Sequence, residues 1–521
     1  MTARVCSVLD GSPVLDGPGD SYLSRNPART GEVVAEVRLG EAKTLLAAVR
    51  SAREAQPGWA AVPAPVRGRV IAAVGRLVEA NADALAALVT REVGKPVAEA
   101  RGEVQEVVDT CDFFTGEGRR LYGHTVPSEL PDKQLFTVRA PLGVAVVITA
   151  GNFPVAVPSW YLVPALLCGN TVVWKPAEYS AAIAAAFHSI FLHAGVPAGA
   201  LGLVLAGGEQ TYAGLELAFD AGLVDKVGFT GSTAVGRRLG ALCGAHLQSP
   251  CLELGGKNPM VVAGDADLDL AVDGALFSGF GTAGQRCTSL GTVLVHESVH
   301  GEFLRRFARA VETAVVGDPT DPRVLYGPML EERFLAGMDA HLAAVRPHHT
   351  VLGSTGQGRI TAANPRAGFV GDPDAGLFAH PSIVDGVRPD DTLFTEETFG
   401  PIVGVCSYSH LDEAVELANA SGYGLSAAIY TRDPEQAFRF QRGVRSGMVS
   451  ICNSTSGAEA HLPFGGNGRS GNGSRQSGVW ALDQFTRWQA VNWDFSGRLQ
   501  KAQLDTALPP ADPDFRIVSP G

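Results

Sequence analysis

Nowhere does the sequence reach the roughly 20 consecutive apolar residues that a bilayer-spanning helix needs. The opening MTARVCSVLDG likewise lacks the continuous apolar core of a secretory signal. A cytoplasmic protein is therefore expected. Charge is scarce as well, at 18% of residues, and its balance is −12. Without a basic surplus to offset phosphate repulsion, nucleic acid and anionic membrane surfaces are excluded as partners. The eight cysteines, at positions 6, 111, 168, 243, 251, 287, 406 and 452, never fall in CxxC spacing. That removes both a disulfide framework and a zinc-ribbon site. The histidine pair His348 and His349 sits in a polar stretch with no cysteine or HExxH pattern nearby, so no bound metal is expected. No low-complexity tract is present, and 45% hydrophobic content over 521 residues is that of a globular chain large enough for two or three domains.

Along the chain, residues 1 to 40 mix Gly, Pro and polar residues with β-prone pieces such as Glu32 to Val37 and predict a hairpin lead-in. Val70, Ile71, Val74, Leu77 and Val78 then share one helical face, and Leu85, Leu88 and Val89 resume that period after a break at Asn81 to Asp83. These stripes are core faces. From Val144 to Val262, short apolar runs at 144–148, 171–174, 201–205, 227–229 and 259–262 alternate with helical stretches, which predicts βαβ units and a mostly parallel sheet. A second α/β section follows from about Gly256 to Gly465, with a strand at Thr292 to Val295 and a helix carrying Phe303, Phe307, Ala310 and Val311. Residues 349 to 380, rich in Gly, Pro and Asp, predict a long surface excursion. The apolar residues of FTRWQAVNW, Phe485, Trp488, Val491 and Trp493, suit a strand at a subunit edge.

Chemistry concentrates in a few stretches. GTAGQRCTS, from Gly281 to Ser289, surrounds Cys287 with small residues that let backbone pass close to a ligand. An unpaired cysteine is by itself more often a packing residue. LELGGK adds the carboxylate of Glu253, and ITAGNFP adds the side-chain amide of Asn152. Alone, the first would be read as a cap or salt-bridge carboxylate and the second as a turn residue before Pro154. In an open parallel sheet, ligands bind beyond the carboxyl ends of the strands. KPAE puts Lys175 and Glu178 there, and GFTGSTAVG brings Gly231, Ser232 and Gly236 to a helix start where free N–H groups can hold a phosphate. It is not the usual GxGxxG, and Ser232 alone would serve as a plain N-cap.

Taken in order and spacing, AGNFP, VVWKPAE, FTGSTAVG, LELGGKNP, GQRC, EETFGP and PFGGNGRSG resemble the motifs of the aldehyde dehydrogenase superfamily, over roughly residues 20 to 495. The resemblance implies an α/β fold with a Rossmann-like parallel-sheet cofactor domain (1–122 and 143–255), an α/β catalytic domain (256–480) and a small β oligomerisation segment (123–142 with 481–499). Residues 500 to 521 are left as a C-terminal tail. It further implies a homodimer or homotetramer and NAD(P)-dependent oxidation of an aldehyde to a carboxylic acid. An aldehyde loses its hydrogen as hydride only from a tetrahedral centre, so a nucleophile must add first. Cys287 is assigned that role, Asn152 and the Cys287 backbone N–H stabilise the oxyanion, and Glu253 activates water for hydrolysis of the thioester. Family members that release the acyl group to coenzyme A generally lack such a carboxylate, so a free acid is the expected product.

Carried over residue by residue, the cofactor contacts are Lys175 and Glu178 at the adenosine ribose, Gly231 and Ser232 at the pyrophosphate, and Glu397 with Phe399 at the nicotinamide end. Ile148, Thr149, Gly208, Phe229, Val235 and Leu254 line the remainder. A carboxylate at Glu178 prefers a ribose hydroxyl to a 2′-phosphate, which favours NAD over NADP. The substrate side is Phe153, Val157, Trp160 and Phe464, with Ser289 as a helper. Gly151 departs from the aromatic residue common before that asparagine, which is expected to loosen the pocket wall or shift the cofactor. NSTSGAEAHLPFGG, from Asn453 to Gly466, resembles the anchor loop of semialdehyde dehydrogenases, where backbone N–H groups hold a distal carboxylate. A semialdehyde with a distal anionic group is therefore the expected substrate. An uncharged aliphatic or aromatic aldehyde, or a phosphonate- or phosphate-bearing one, remains the alternative, and a thiol esterase or hydrolase is the alternative of another class.

Overall fold

The computed structural model describes residues 3–14, 20–354, 356–519 and 521. Two seven-stranded sheets dominate it. In the first, the order is Cys251–Glu253, Lys226–Thr230, Val144–Ile148, Thr171–Lys175 and Leu201–Leu203, all parallel, with Val8–Leu9 and Ser12–Pro13 added antiparallel at one edge. The central strands are buried on both faces, which is why they read as unbroken β-branched runs rather than alternating patterns. The antiparallel edge differs from the expectation for the N-terminal lead-in. The hairpin appears nearby, with Ser21–Arg25 paired to Val33–Arg38, but the first residues also extend the parallel sheet.

The second sheet runs Thr350–Leu352, Ser382–Asp385, Ile402–Tyr408, Leu290–His296, Asn258–Val262, Ser426–Tyr430 and Met448–Ile451. Only its first strand is antiparallel. The change of sheet thus falls between Glu253 and Asn258. Within 349–380 the chain is mainly turns and bridges, and its one substantial pairing is that first strand.

Helices Ala64–Ala80 and Ala82–Val93 are separated at Asn81 and bury Ile71, Val74, Val78, Leu85 and Val89. They pack with the helix Val97–Glu117, which leads towards the junction of the two sheets. Away from both sheets, Lys133–Pro141 pairs antiparallel with Thr486–Asp494 along their whole length, and Thr125–Val126 adds a third strand. On this ribbon Trp488 and Trp493, which the strand's two-residue period sends to opposite faces, are 48% and 59% exposed among the described residues.

Candidate active site

A cavity of about 1050 Å³ opens where the carboxyl ends of the first sheet's parallel strands meet the amino ends of strands in the second. Strand Val144–Ile148 delivers Ile148, Thr149 and Asn152 to it, and Thr171–Lys175 delivers Lys175 and Glu178. Lys226–Thr230 brings Phe229, and the loop beyond it brings Gly231, Ser232 and Val235. Gly208, Leu254, Cys287, Glu397 and Phe399 complete this group, and Phe153, Val157, Trp160 and Phe464 form the limb on the other side of Cys287. Of the residues nominated from sequence, only Glu253 and Ser289 are not on its wall.

The thiol turn is conformationally demanding. Thr282, Ala283 and Gly284 take φ of 52°, 54° and 69° in succession, a left-handed path that a non-glycine residue holds only when its surroundings over-determine it. A Cβ on Gly284 would lie 2.2 Å from the Gly400 carbonyl oxygen, and one on Gly256 would lie 2.5 Å from that of Cys287. Glycine there lets the thiol segment close onto LELGGK. Cys287 is half-buried. Burial, then the negative charges of Glu253 and Glu397, push its thiol up to about 12 from 9.0, opposed by the backbone N–H groups of Thr288 and of Cys287 itself. Asn152 is buried, and its Nδ2 donates to the Gln285 carbonyl at 2.8 Å. One amide N–H is thereby spent on tethering the thiol turn, and the second stays available to an oxygen in the cavity.

Ser289 differs from its expected role. Its hydroxyl accepts the Arg286 N–H at 3.1 Å and its carbonyl accepts Asn258 Nδ2 at 2.7 Å, so it shapes the turn from outside the cavity. Glu253 stands behind the wall, its neighbour Leu254 being the residue that lines it. Both carboxylate oxygens are buried and have no hydrogen-bond partner of good geometry among the described residues, and a Cβ on Gly465 would come within 2.7 Å of one of them. Burial pushes this carboxyl well above the usual range, although Arg475 pulls the other way.

Gly151 also differs from expectation. A Cβ there would lie 2.5 Å from the Tyr179 ring, whose hydroxyl accepts the Gly151 N–H at 3.2 Å. Tyr179 therefore fills the space that the missing side chain leaves, and the wall is closed rather than loosened.

On the dinucleotide side, Lys175 is buried and its Nζ lies 3.4 Å from Glu178. Burial holds its ammonium below the ordinary value, with Glu178 opposing. Ser232 caps the helix Thr233–Ala245 by accepting the Val235 N–H at 3.4 Å, and a Cβ on Gly208 would meet nothing within 4 Å. A helix start, a buried cation, a ribose-sized carboxylate and open glycine backbone fit a dinucleotide. Glu397 accepts the Gly256 N–H at 3.2 Å and is raised to about 7 by burial.

Several lining residues went unnoticed in the sequence. Glu99, Glu103 and Glu106 come from the helix Val97–Glu117. Their spacing of four and three residues, on a helix whose other face is Val104, Val107, Val108 and Cys111, was the available signal. Glu106 accepts Trp160 Nε1 at 3.1 Å and is raised to about 8 by burial and by Glu103. Trp160 and Phe464 pack with ring centroids 4.5 Å apart. Apart from this cavity, His348 and His349 converge on Asp391 at 3.1 and 2.9 Å, where Arg346 also lies 3.0 Å from the carboxylate.

The family model described as "Aldehyde dehydrogenase family" matches residues 16–491. The chain belongs to the aldehyde dehydrogenase family. It is 36% identical over 492 residues to the α-aminoadipic semialdehyde dehydrogenase of Bos taurus, covering 94% of this chain and 88% of that one. To the α-ketoglutaric semialdehyde dehydrogenase of Bacillus subtilis it is 33% identical, covering 93% and 96%. Its fold superposes on the NAD-dependent aldehyde dehydrogenase of Sinorhizobium meliloti with a TM-score of 0.89, 30% identity and 96% of both chains covered. This aldehyde dehydrogenase is thus an NAD(P)-dependent oxidoreductase that acts on a small-molecule aldehyde. No helix among the described residues is long and apolar enough to cross a membrane.

Proposed function

We propose that this aldehyde dehydrogenase converts a semialdehyde to the corresponding dicarboxylic acid, with NAD preferred to NADP. The observation that carries the mechanism is the presence of Cys287 and the tethered Asn152 amide on one cavity wall, between a dinucleotide-shaped limb and an aromatic one. Lys175 and Glu178 would hold the adenosine ribose, Ser232 and the helix start behind it the pyrophosphate, and Glu397 with Phe399 the nicotinamide end. When bound, the dinucleotide supplies the hydride acceptor.

Cys287 Sγ adds to the aldehyde carbon, and the free N–H of Asn152 Nδ2 with the Cys287 backbone N–H stabilises the oxygen that becomes anionic. Departure of hydride leaves the acyl group on sulfur. Glu253 sits against Gly465 in a dry, proton-retaining position. Turning about its side-chain torsions into the cavity exposes it to water, which favours the carboxylate form, and there it takes the proton of the water that cleaves the thioester. Among the described residues lining the cavity none is a histidine, which disfavours a cysteine hydrolase, since that chemistry uses an imidazole beside the thiol.

For the distal end of the substrate, the names of the relatives agree with the site. Gly457 and Ala458 of the anchor loop line the cavity, and neither backbone N–H has a backbone partner among the described residues. Burial and Glu103 raise Glu106 to about 8, which favours its protonated form near neutral pH and weakens its repulsion of a carboxylate. A second reading is favoured by the outer rim, where Asp109, Asp112 and Glu459 gather. A semialdehyde carrying an ammonium beside its carboxylate would satisfy both zones. The test is a panel with NAD and NADP: an oxo-acid semialdehyde, an amino-acid semialdehyde and a neutral aldehyde of equal length. A kcat/KM highest for the neutral aldehyde contradicts the semialdehyde assignment.

The eight cysteines are all unpaired, in keeping with a reducing cytoplasm. The exposed tryptophans of Thr486–Asp494 support assembly as a homodimer or homotetramer.

A further inference from the structure

Two carboxylates one helical turn apart, Glu99 and Glu103 on Val97–Glu117, grip the two segments that carry the reacting groups. Glu103 is wholly buried and accepts the N–H groups of Val155 at 2.9 Å and Ala156 at 3.2 Å, at the start of the helix Ala156–Leu167, which begins four residues after Asn152. Its other oxygen pairs with Lys95, equally buried, whose Nζ lies 3.4 Å over the Phe153 ring. Glu99 accepts the Thr282 N–H at 3.2 Å, the Thr282 hydroxyl, and Arg286 Nη2 at 2.7 Å. Arg286 Nε returns to the Thr282 hydroxyl at 3.2 Å. One carboxylate therefore fixes the segment after the amide and the other fixes the left-handed turn before the thiol.

We propose that Glu103 with Lys95, and Glu99 with Arg286, are positioning residues that set the Asn152 amide at the correct distance and angle from Cys287 Sγ. The helix acts as a rigid ruler, with about 6 Å of rise between the two carboxylates. A wholly buried ion pair gains little as a stabiliser, because desolvation offsets the attraction. Its position one residue from the amide segment gives it a use that stability does not. Without Glu99, the successive positive φ values at Thr282 and Ala283 lose the contacts that over-determine them. The inference rests on Cys287 and Asn152 acting as proposed above.

The two grips make different predictions. In Glu103→Ala the single-turnover burst of reduced cofactor should fall about a hundredfold, the scale of losing one oxyanion donor. Alkylation of Cys287 by iodoacetamide should stay within about twofold of the parent, because Glu99 still holds the thiol turn through Thr282 and Arg286 when the Asn152 tether shifts. In Glu99→Ala the alkylation rate itself should change at least about fivefold. Lys95→Met combined with Glu103→Gln keeps an acceptor oxygen for Val155 and Ala156 and leaves no unpaired buried charge. It should burst within about tenfold of the parent, and it decides the matter if Glu103→Ala does not fold. A parent-like burst in Glu103→Ala, alkylation falling in step with the burst there, or a hundredfold loss in the double variant would overturn the proposal. Failure of the underlying assignment looks different: Cys287→Ala would then retain the burst.

Discussion

Replacing Glu253 by glutamine should separate chemistry from stability in opposite directions. In the resting position the carboxylate is buried, both oxygens lack partners of good geometry among the described residues, and burial holds the proton on it well above the usual range. A carboxyl whose folded pKa is raised favours the folded state while protonated. Its contribution is therefore lost as pH climbs from the unfolded value, about 4.3, to the folded one. At pH 8 the native chain carries that cost and the amide does not. A buried polar group without a partner costs about 1 to 3 kcal/mol. Because the amide also lacks a full set of partners, a gain of about 1 kcal/mol is expected, together with a flatter dependence of unfolding on pH above about 4.3. Turnover moves the other way. A positioned general base contributes about 10² to 10⁴ in rate, or about 3 to 5 kcal/mol of barrier. Rapid mixing with NAD and semialdehyde should show one equivalent of reduced cofactor per active site at the parent rate, then a steady rate lower by at least about a hundredfold. Denaturant titration between pH 5 and 9 reads the stability arm. A steady rate within about threefold of the parent would refute the base assignment. A variant less stable than the parent at pH 8 would refute the account of the resting carboxyl.

Other perturbations report on separate parts of the site. With the Cys287 thiol raised to about 12, iodoacetamide alkylation of the cofactor-free enzyme should rise about tenfold per pH unit from 8 to 11, and a plateau near pH 9 would contradict that electrostatic picture. Glu178→Gln removes the charge that repels a 2′-phosphate and should lower the NAD over NADP ratio of kcat/KM by about tenfold; an unchanged ratio would mean that Glu178 does not select the cofactor. Trp488→Glu with Trp493→Glu charges both faces of the Thr486–Asp494 strand, and sedimentation should show dissociation to monomers. An unaltered sedimentation coefficient would remove this ribbon from the subunit interface.

Much of the site was legible because the chemistry needs residue types that small, strained or glycine-flanked contexts betray. Asn152 and the Lys175–Glu178 pair sit at the ends of buried strands whose β-branched runs were plain, and Cys287 stands three residues before another, Leu290–His296. The boundary at Asn81 and the register of helix faces were readable from apolar spacing alone. What escaped was long-range. The ring of Tyr179 replaces the side chain absent at Gly151, a relation between residues 28 apart that no local pattern carries. Glu99 and Glu103 look like solvated helix charges until residues 282–286 and 155–156 fold against them. Ser289 was misread for the opposite reason: its closeness in sequence to Cys287 suggested a ligand, whereas the turn directs its hydroxyl to its own backbone neighbour Arg286. The edge strand Val8–Leu9 is two residues long and gains its identity only from the Leu201–Leu203 partner.

The most direct test is to trap the acyl-enzyme. Glu253→Gln, mixed with NAD and the best semialdehyde and quenched in acid after the burst, should carry the mass of one acyl group on the peptide that contains Cys287, labile to hydroxylamine. A full burst of reduced cofactor with Cys287 unmodified, or with the acyl group on another cysteine such as the exposed Cys452, would contradict covalent catalysis by Cys287.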